Sequence, residues 1–169
     1  MLLVSPVRNE ANHLQEVVDG VLAQTRPPDL WLIVDDNSDD GTAEIAARAC
    51  ERAPFVRLVS TPPGYTRSNG DRNAAGGPDR AFNFGLDEVD WRSYTYLGKL
   101  DGDIVLPPDF VEGILERFAA EPQLGIGSGA VFEEHGEEWR RIPSALAIGR
   151  RCLTPNSRYV RVVKPRSLA

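Results

Sequence analysis

Residues 96–110 read YLGKLDGDIVLPPDF, and this stretch governs how the rest of the chain is interpreted. An apolar run meets two carboxylates one residue apart, Asp101 and Asp103, and then returns at once to Ile-Val-Leu. Acidic side chains are rarely buried without a partner. The pattern therefore predicts a buried strand over residues 94–100 that ends either in an Asp-Gly turn or at a bound cation.

Apolar runs of strand length alternate with helical patterns along the whole chain. The other predicted strands cover residues 2–4, 30–34, 55–60 and 124–132. One predicted helix follows an N-cap at Asn9, a second follows the second strand to about Ala53, a third covers residues 79–89, and a fourth begins at Pro107-Pro108. Such alternation predicts an α/β fold, with a mostly parallel sheet flanked by helices.

Three polar clusters follow the first, second and fourth predicted strands. They are SPVRNE at residues 5–10, DDNSDDGT at residues 35–42 and DGD at residues 101–103. Open α/β sheets bind their ligands beyond the carboxyl ends of the strands. We therefore expect the three clusters to converge on one edge of the sheet and to form the functional site there.

The D-G-D cluster has the composition of a cation site. Residues i and i+2 of an extended segment point to the same side, so Asp101 and Asp103 would repel each other unless a cation lies between them. Mg²⁺ takes one or two protein carboxylates together with substrate phosphates, and Mn²⁺ prefers similar oxygen ligands. The alternative is an ordinary turn without a ligand, since Asp-Gly is a common turn pair.

The cluster at residues 35–42 has a functional and a structural interpretation. Asp36 follows a buried strand and can accept a hydrogen bond from a base or a ribose. Alternatively, all the polar residues of the cluster are turn and cap residues for the next helix. A calcium loop fits poorly, because Asp40 stands where such loops need glycine and Ala46 stands where they need the final glutamate.

The cluster at residues 5–10 is the least specific of the three. Arg8 and Glu10 can form an exposed ion pair, which would contribute little stability. Alternatively, Glu10 and the backbone at Ser5 and Pro6 line a nucleotide pocket.

Composition is that of an ordinary globular protein. With 169 residues, 41% of them hydrophobic and 26% charged, the chain suits one domain with a substantial core. No apolar run approaches the roughly 20 residues of a membrane span, and the N-terminus lacks the features of a signal peptide. Two distant cysteines imply no disulfide framework. These features predict a cytoplasmic protein, and the acidic body lacks the basic patch of a nucleic-acid-binding protein.

The charge of the chain is unevenly distributed. Residues 139–169 contain eight Lys and Arg residues and no Asp or Glu, whereas the whole chain carries a net charge of −6. We therefore divide the chain into a domain at residues 1–138 and a basic tail of uncertain structure at residues 139–169. The tail is either a loosely ordered, solvated terminus or a surface for anionic lipid or a phosphate-bearing substrate, which would give peripheral membrane contact.

In chain order, the segments PVRNEA, VDDNSDDGT and KLDGDIVLPPDF resemble the family 2 glycosyltransferases, a group of inverting enzymes with the GT-A fold. The likeness covers about residues 2–132. The segment AFNFGL at residues 81–86 is also similar to the A-x-N-x-G helix of the family. The resemblance implies a Rossmann-like GT-A domain that binds a sugar linked to UDP, GDP or dTDP, with Mn²⁺ or Mg²⁺ as cofactor.

The resemblance also implies roles for individual residues. The residues that would contact the donor are Pro6, Arg8 and Glu10 beside the nucleotide, Asp36 at its base, Arg80 near the diphosphate, and Asp101 near the ribose or a metal-bound water. Asp103 would ligate the metal that holds the diphosphate, with Asp101 close to the same ion. Lys99 would be a local contact to solvent or phosphate.

The reaction implied is transfer of a sugar to a hydroxyl group of a glycan or lipid acceptor, with inversion. The general base of the family is usually an Asp or Glu well after the D-x-D motif, but no acidic residue follows Glu138 in this chain. The catalytic base is therefore unassigned. Three explanations compete: a chain truncated on the acceptor side, which we favour, an enzyme completed by another chain, and an unusual acceptor half.

Two other functions compete with glycosyl transfer. A truncated domain would bind the nucleotide sugar without catalysis, which the missing base favours. A sugar nucleotidyltransferase would use a related sheet and a carboxylate-bound metal, but it needs a Gly-rich, basic phosphate loop after the first strand. Residues 5–10 supply Arg8 and no glycine, so this function is disfavoured.

Overall fold

A computed structural model of the chain describes residues 1–63, 65, 77–135, 138–142 and 160–163. In these ranges the strands are β1 (Leu2–Val7), β2 (Leu30–Asp35), β3 (Val56–Ser60), β4 (Leu97–Leu100), β5 (Ile126–Gly127), β6 (Val131–His135), β7 (Glu138–Ile142) and β8 (Val160–Val163). The α-helices are α1 (Leu14–Leu22), α2 (Thr42–Arg52), α3 (Gly77–Asp87) and α4 (Phe110–Ala120). All four predicted helices are therefore present.

Six of the strands form one sheet in the order β3-β2-β1-β4-β8-β5. The first four pair in parallel, and β8 lies antiparallel to both β4 and β5. Strands β6 and β7 form a separate antiparallel pair. The prediction of an α/β fold with a mostly parallel sheet flanked by helices is confirmed.

The strand order reverses between β1 and β4. From β1 the chain moves outward through β2 to β3, and it then returns to pair β4 on the other side of β1. The connections that follow β1 and β4 therefore depart in opposite directions. The crevice between the carboxyl ends of two such strands is where open α/β sheets bind ligands.

Both faces of the sheet are buried, and each face has its own core cluster. Alternate residues of β1 divide between the clusters: Leu3 and Val7 join one, while Leu2 and Val4 join the other. Helices α1, α2 and α4 pack on the first face, and α3 covers the second. The division follows from the two-residue period of a strand, and burial on both faces gives the polar clusters a rigid base.

Helix α3 lies very close to the sheet. A Cβ atom added at Gly85 would lie 2.5 Å from Cγ2 of Val34 and 3.2 Å from Cδ2 of Leu32, so a larger residue would push the helix outward. The glycine of the A-x-N-x-G segment thus has a packing role. Because Gly85 has no side chain, α3 can pack closely over β1 and β2.

Strand β1 is longer than predicted, since it continues through Pro6 to Val7. Proline is tolerated because the pairing with β4 ends at Val4, opposite Lys99, while the pairing with β2 continues to the end of the strand. The predicted cap at Asn9 is wrong. Asn9 instead has a positive φ of 55°, a conformation that asparagine tolerates, and α1 begins five residues later, at Leu14.

The strand predicted at residues 124–132 is wrong in its extent. The structure divides this segment into β5 in the main sheet and β6 in the second sheet. The break contains Gly129, where an added Cβ atom would lie 2.6 Å from Cε2 of Phe110. The chain therefore leaves the sheet in close contact with the first residue of α4.

Strands β7 and β8 contain residues of the segment 139–169, which we predicted as a basic tail. Most of that segment lies outside the described ranges. Strand β7 begins at Glu138, and β8 inserts between β4 and β5. The backbone of Val160–Val163 is thus part of the main sheet, while the division at residue 138 stays a prediction. Across the described ranges, no helix combines the length and the hydropathy that crossing a membrane requires.

Candidate functional site

The turn after β4 packs directly against the segment after β1. A Cβ atom added at Gly102 would lie 2.8 Å from Cγ1 of Val7 and 3.1 Å from Cγ of Glu10. Carbon atoms do not approach so closely in a packed interior, so this contact requires glycine. The first and third polar clusters therefore meet at the reversal between β1 and β4, as the sequence predicted.

The D-G-D segment is a turn and not an extended strand end. The N–H of Ile104 donates a hydrogen bond to the carbonyl oxygen of Asp101 at 3.3 Å, which closes the turn over residues 101–104. The extended geometry predicted for Asp101 and Asp103 is therefore wrong. The chain bends because its central glycine must fit against the end of β1. Both aspartates remain partly exposed at the edge of the sheet.

Lys99 holds one of the two carboxylates. Its Nζ atom donates to Oδ1 of Asp101 at 2.7 Å, and the two side chains are only 13% and 20% exposed. A hydrogen bond between two charged groups at this distance is among the stronger kinds in proteins. Lys99 thus contacts Asp101 itself, a role that differs from the contact to solvent or phosphate expected from the sequence.

The carboxylates of the turn fit a cation that a substrate helps to coordinate. In the described ranges, no group of three or more His, Cys, Asp and Glu residues is placed to hold a metal ion by itself. The turn offers Asp101 and Asp103, which matches the one or two carboxylates that Mg²⁺ takes when phosphates supply other ligands. The donor set therefore suits a metal–diphosphate complex, and it does not form a protein-only cage.

Asp36 is buried at the end of β2 and joins the first and second clusters. Its N–H donates to the carbonyl oxygen of Val7 at 2.9 Å, and its Oδ1 accepts a hydrogen bond of 2.9 Å from the hydroxyl of Thr61. Its Oδ2 lies 3.7 Å from the guanidinium of Arg8, whose side chain is 49% exposed. The ion pair seen for Arg8 is thus with a buried aspartate, and it joins the carboxyl ends of β1 and β2.

Four hydrogen bonds join the segment after β1 to the segment after β2, and we call them the loop clasp. They run from Asn9 N–H to Ser38 Oγ, from Asp39 N–H to Asn9 Oδ1, from Glu10 N–H to Thr42 Oγ1 and from Ala11 N–H to Asp40 Oδ2, at 2.8–3.1 Å. Although the N-cap of α2 is Gly41 and no N-cap side chain caps the helix, these bonds give Ser38, Asp40 and Thr42 a structural role. Their polar atoms fix the backbone that carries Arg8 and Glu10.

Asp40 is the most heavily hydrogen-bonded member of the loop clasp. The hydroxyl of Thr42 donates to its Oδ1 at 2.5 Å, and this bond lowers the pKa of the Asp40 carboxyl below its ordinary value of 3.8. The N–H of Thr42 donates to the same oxygen at 3.0 Å, and the N–H of Ala11 donates to Oδ2. A calcium role for Asp40 is thus disfavoured by its occupied oxygens as well as by its sequence position.

Pro6 and Arg80 lie in elements that border the same edge. Pro6 is buried within β1, near the carboxyl end of that strand. Arg80 lies in the first turn of α3, five residues or roughly 7.5 Å before Gly85 along the helix axis. Arg57, near the start of β3, donates to the carbonyl oxygen of Glu88, so α3 runs opposite to the strands and Arg80 lies toward their carboxyl ends. The nucleotide contacts assigned to Pro6 and Arg80 stay predictions.

Sequence reasoning missed one residue that the structure brings to the site and assigned another a different contact. Thr61 bonds Asp36, and Lys99 bonds Asp101. Thr61 is the first residue after β3, so the rule that flagged the other strand ends also applies to it. Lys99 lies within β4. A charged residue in this apolar run was the one feature of the sequence that could have indicated its hydrogen bond to Asp101.

Comparison with known proteins gives the chain a family. The family model described as Glycosyl transferase family 2 matches residues 3–165. The chondroitin synthase of Pasteurella multocida (strain Pm70) is 34% identical over 119 residues, which are 70% of this chain and 11% of that protein. The chain therefore spans about a tenth of the length of this curated relative.

Solved structures resemble the fold. The mannosyltransferase PcManGT from Pyrobaculum calidifontis, in complex with GDP-Man and Mn²⁺, has a TM-score of 0.55 at 24% identity, over 74% of this chain and 33% of that one. The glucosyl-3-phosphoglycerate synthase from Mycobacterium tuberculosis, in complex with Mn²⁺, UDP and glucosyl-3-phosphoglycerate, has a TM-score of 0.54 at 20% identity, over 74% and 41%. The predicted GT-A architecture is thereby confirmed.

Proposed function

The chain belongs to glycosyl transferase family 2, and on this basis we propose that its site binds a nucleotide sugar and transfers the sugar to an acceptor hydroxyl with inversion. The observation that carries the proposal is the convergence of the three polar clusters around the carboxyl end of β1, with the D-G-D turn on its β4 side and residues 35–42 on its β2 side. Gly102 brings the D-G-D turn onto the end of β1, and the Arg8–Asp36 pair joins β1 to β2. An acceptor for the base and carboxylates for a metal–diphosphate thus lie at one edge.

We assign the base of the donor to Asp36. A carboxylate only accepts hydrogen bonds when it is ionised, so it recognises a base that presents an N–H group. Uracil, thymine and guanine carry a ring N–H on their pairing edge, whereas cytosine and adenine carry a ring acceptor there. This chemistry favours donors linked to UDP, dTDP or GDP.

We assign the diphosphate of the donor to the D-G-D turn. Asp103 and Asp101 supply the carboxylates that Mg²⁺ or Mn²⁺ needs when substrate phosphates complete the coordination. A bound divalent cation would neutralise charge on the leaving diphosphate. Lys99 keeps Asp101 oriented through its hydrogen bond of 2.7 Å. Arg8, with its exposed guanidinium, and Glu10 border the nucleotide between these two ends.

The acceptor in this proposal is a hydroxyl group of a glycan or a lipid. The relative from Pasteurella multocida is named as a chondroitin synthase, which supports a glycan. Inversion requires a general base in line with the leaving diphosphate. Residues 139–169 contain no Asp or Glu that could serve as this base, which favours donor binding without transfer as the second candidate function of these residues.

Thermal unfolding with a panel of nucleotides tests donor binding. The panel contains UDP, GDP, dTDP and CDP, each with Mn²⁺ or with a chelator, on the wild-type chain and on Asp103→Asn. A ligand at about 100 times its Kd adds about 2.7 kcal/mol to the free energy of unfolding, which raises Tm by several degrees at roughly 2–4 °C per kcal/mol. We expect a shift with one nucleotide that requires Mn²⁺ and is lost in Asp103→Asn.

Turnover separates the two candidate functions. Release of the nucleoside diphosphate from the matching nucleotide sugar, in the presence of acceptor glycans, would support transfer. Metal-dependent binding without release would support the non-catalytic function. A folded protein whose Tm does not change with any nucleotide would overturn both.

A further inference from the structure

Thr61 directly follows β3 and belongs to the Asp36 side of the site. Only 3% of the residue is exposed, and its N–H donates to the carbonyl oxygen of Asp35 at 2.9 Å. Because a buried hydroxyl has to satisfy its hydrogen bonds within the protein, the partners of this group are informative. The roles proposed above for donor binding do not include it.

Two neighbours determine the direction of the Thr61 hydroxyl. Asn37 donates from Nδ2 to the Thr61 oxygen at 2.8 Å, and the Thr61 oxygen lies 2.9 Å from Oδ1 of Asp36. A hydroxyl carries one proton, and an amide NH₂ and a carboxylate leave it only one arrangement. Thr61 therefore accepts from Asn37 and donates to Asp36.

This chain of hydrogen bonds fixes the orientation of the Asp36 carboxylate. Its Oδ1 is held by Thr61, while its backbone N–H is held by Val7. Its Oδ2 faces Arg8 at 3.7 Å, beyond hydrogen-bond distance, on the side where the arginine reaches solvent. Oδ2 thus keeps lone pairs for a further hydrogen-bond donor, next to the half-exposed side chain of Arg8.

We propose that Thr61 is a positioning residue for recognition of the nucleobase. By donating to Oδ1, it presents Oδ2 of Asp36 as a hydrogen-bond acceptor and thereby enforces selection of bases with a ring N–H on the pairing edge. The inference rests on the proposed function, since it concerns the base of the same nucleotide. It adds a determinant of base preference that lies on β3, outside the three polar clusters.

A purely structural role is the competing explanation, because any buried carboxylate benefits from a hydrogen-bond donor. The two explanations differ in what they predict for different ligands. Loss of a structural bond lowers stability and weakens every ligand alike. Loss of a positioning bond weakens the preferred base selectively and leaves binding of the diphosphate part unchanged.

The test compares Thr61→Val, which keeps the shape and removes the hydroxyl, with Thr61→Ser, which keeps the hydroxyl. Calorimetry with Mn²⁺ gives the Kd of each protein for UDP, GDP, dTDP and CDP, and for inorganic pyrophosphate, which has no base. In Thr61→Val we expect the affinity for the preferred nucleotide to fall about tenfold, the size of one hydrogen bond to a charged group. The affinity for pyrophosphate should stay at the wild-type value, and Thr61→Ser should restore the preference.

Asn37→Gly gives an independent test if Thr61→Val does not fold. Asn37 is exposed and has a positive φ of 55°, which glycine adopts without strain, so the variant removes only the amide. The Thr61 hydroxyl is then free to rotate away from Asp36. We expect a fall of about threefold in the ratio of affinities for the preferred nucleotide and CDP, since the bond to Asp36 is loosened but not removed.

Several results would overturn the inference, and they are distinguishable from failure of the proposed function. Equal loss for nucleotides and pyrophosphate in Thr61→Val, or an unchanged ratio in Thr61→Val or in Asn37→Gly, would leave Thr61 a structural role. A wild-type protein that binds all four nucleotides equally would remove base selection but keep donor binding. A folded wild-type protein that binds none would overturn the proposed function and the inference together.

Discussion

The two ends of the candidate site are built in different ways. At the Asp36 end, hydrogen bonds within the protein hold the segments after β1, β2 and β3 together, and the carboxylate has two protein partners. At the D-G-D end, a hydrogen bond from Ile104 to Asp101 closes the turn, Gly102 packs it against β1, and Lys99 pairs with Asp101. The base end is therefore a network of protein hydrogen bonds, whereas at the diphosphate end we expect a cation bound with the substrate to add to the contacts of the two carboxylates.

This difference has consequences for how each end responds to change. In a prearranged hydrogen-bond network, each member helps to position the others. Altering one member therefore reduces the selectivity of the site between ligands. A site completed by its ligand loses affinity, because the missing group removes part of the coordination. The following five variants separate the two behaviours, beginning with the largest expected effect.

Gly102→Ala should have the largest effect, since it separates the two ends physically. The added methyl group would overlap Val7 and Glu10, and overpacking of this kind costs about 1–3 kcal/mol. We expect Tm to fall by several degrees and Mn²⁺-dependent nucleotide binding to fall to the level measured with chelator. Gly113→Ala in α4 is the matched control, because nothing lies within 4 Å of an added Cβ there. Equal effects of the two variants would contradict the packing argument.

Asp36→Asn and Asp103→Asn should have opposite signatures. In Asp36→Asn the preference among UDP, GDP, dTDP and CDP should collapse while the requirement for Mn²⁺ persists, because the amide offers N–H donors to the base. In Asp103→Asn the requirement for Mn²⁺ should disappear while the residual binding keeps its base preference. Titrations of both variants with and without chelator measure the two properties separately. Loss of both properties in either variant would mean that the ends are not independent.

Lys99→Met should lower stability by about 1.5–2 kcal/mol, the value of a hydrogen bond to a charged group that is mostly buried. The deficit should shrink when Mn²⁺ and the preferred nucleoside diphosphate are present, because a bound cation then lies beside Asp101. Chemical unfolding with and without these ligands gives both values. Lys99→Arg keeps the charge and should retain most of the stability. A deficit that is the same in both conditions would argue against a shared role of lysine and cation at Asp101.

Asp40→Asn should show the smallest effect and a characteristic pH dependence. Since the Thr42 hydroxyl lowers the pKa of Asp40 in the folded state, the carboxylate stabilises the fold fully above its ordinary pKa of 3.8. That contribution is lost as the pH falls through the lowered folded pKa. The difference in unfolding free energy between wild type and Asp40→Asn should therefore narrow on acidification. A difference that is constant with pH would show that the hydrogen bond to Thr42 does not depend on the charge.

Local patterns predicted most of the fold and the position of the site. Apolar periodicity located the four parallel strands and the four helices, because each pattern reports the face that a segment buries. The shared direction of parallel strands then placed the polar clusters at one edge. The same reasoning failed at residues 124–132, where a contact between Gly129 and Phe110 divides the predicted strand. Gly129 and Phe110 are far apart in the sequence, so a pattern read over neighbouring residues cannot predict that they meet.

The sequence by itself determined the α/β architecture, the family and the edge at which the site lies, because these depend on residue types repeated at short spacing. Only the tertiary structure decided the partners of each functional side chain: Arg8 with Asp36, Thr61 with Asp36 and Lys99 with Asp101. It also decided that the D-G-D segment is a turn and that β8 enters the main sheet. The physical reason is distance along the chain. Thr61 and Asp36 are 25 residues apart, and their hydrogen bond exists only because β2 and β3 pair in a register that brings the two strand ends together.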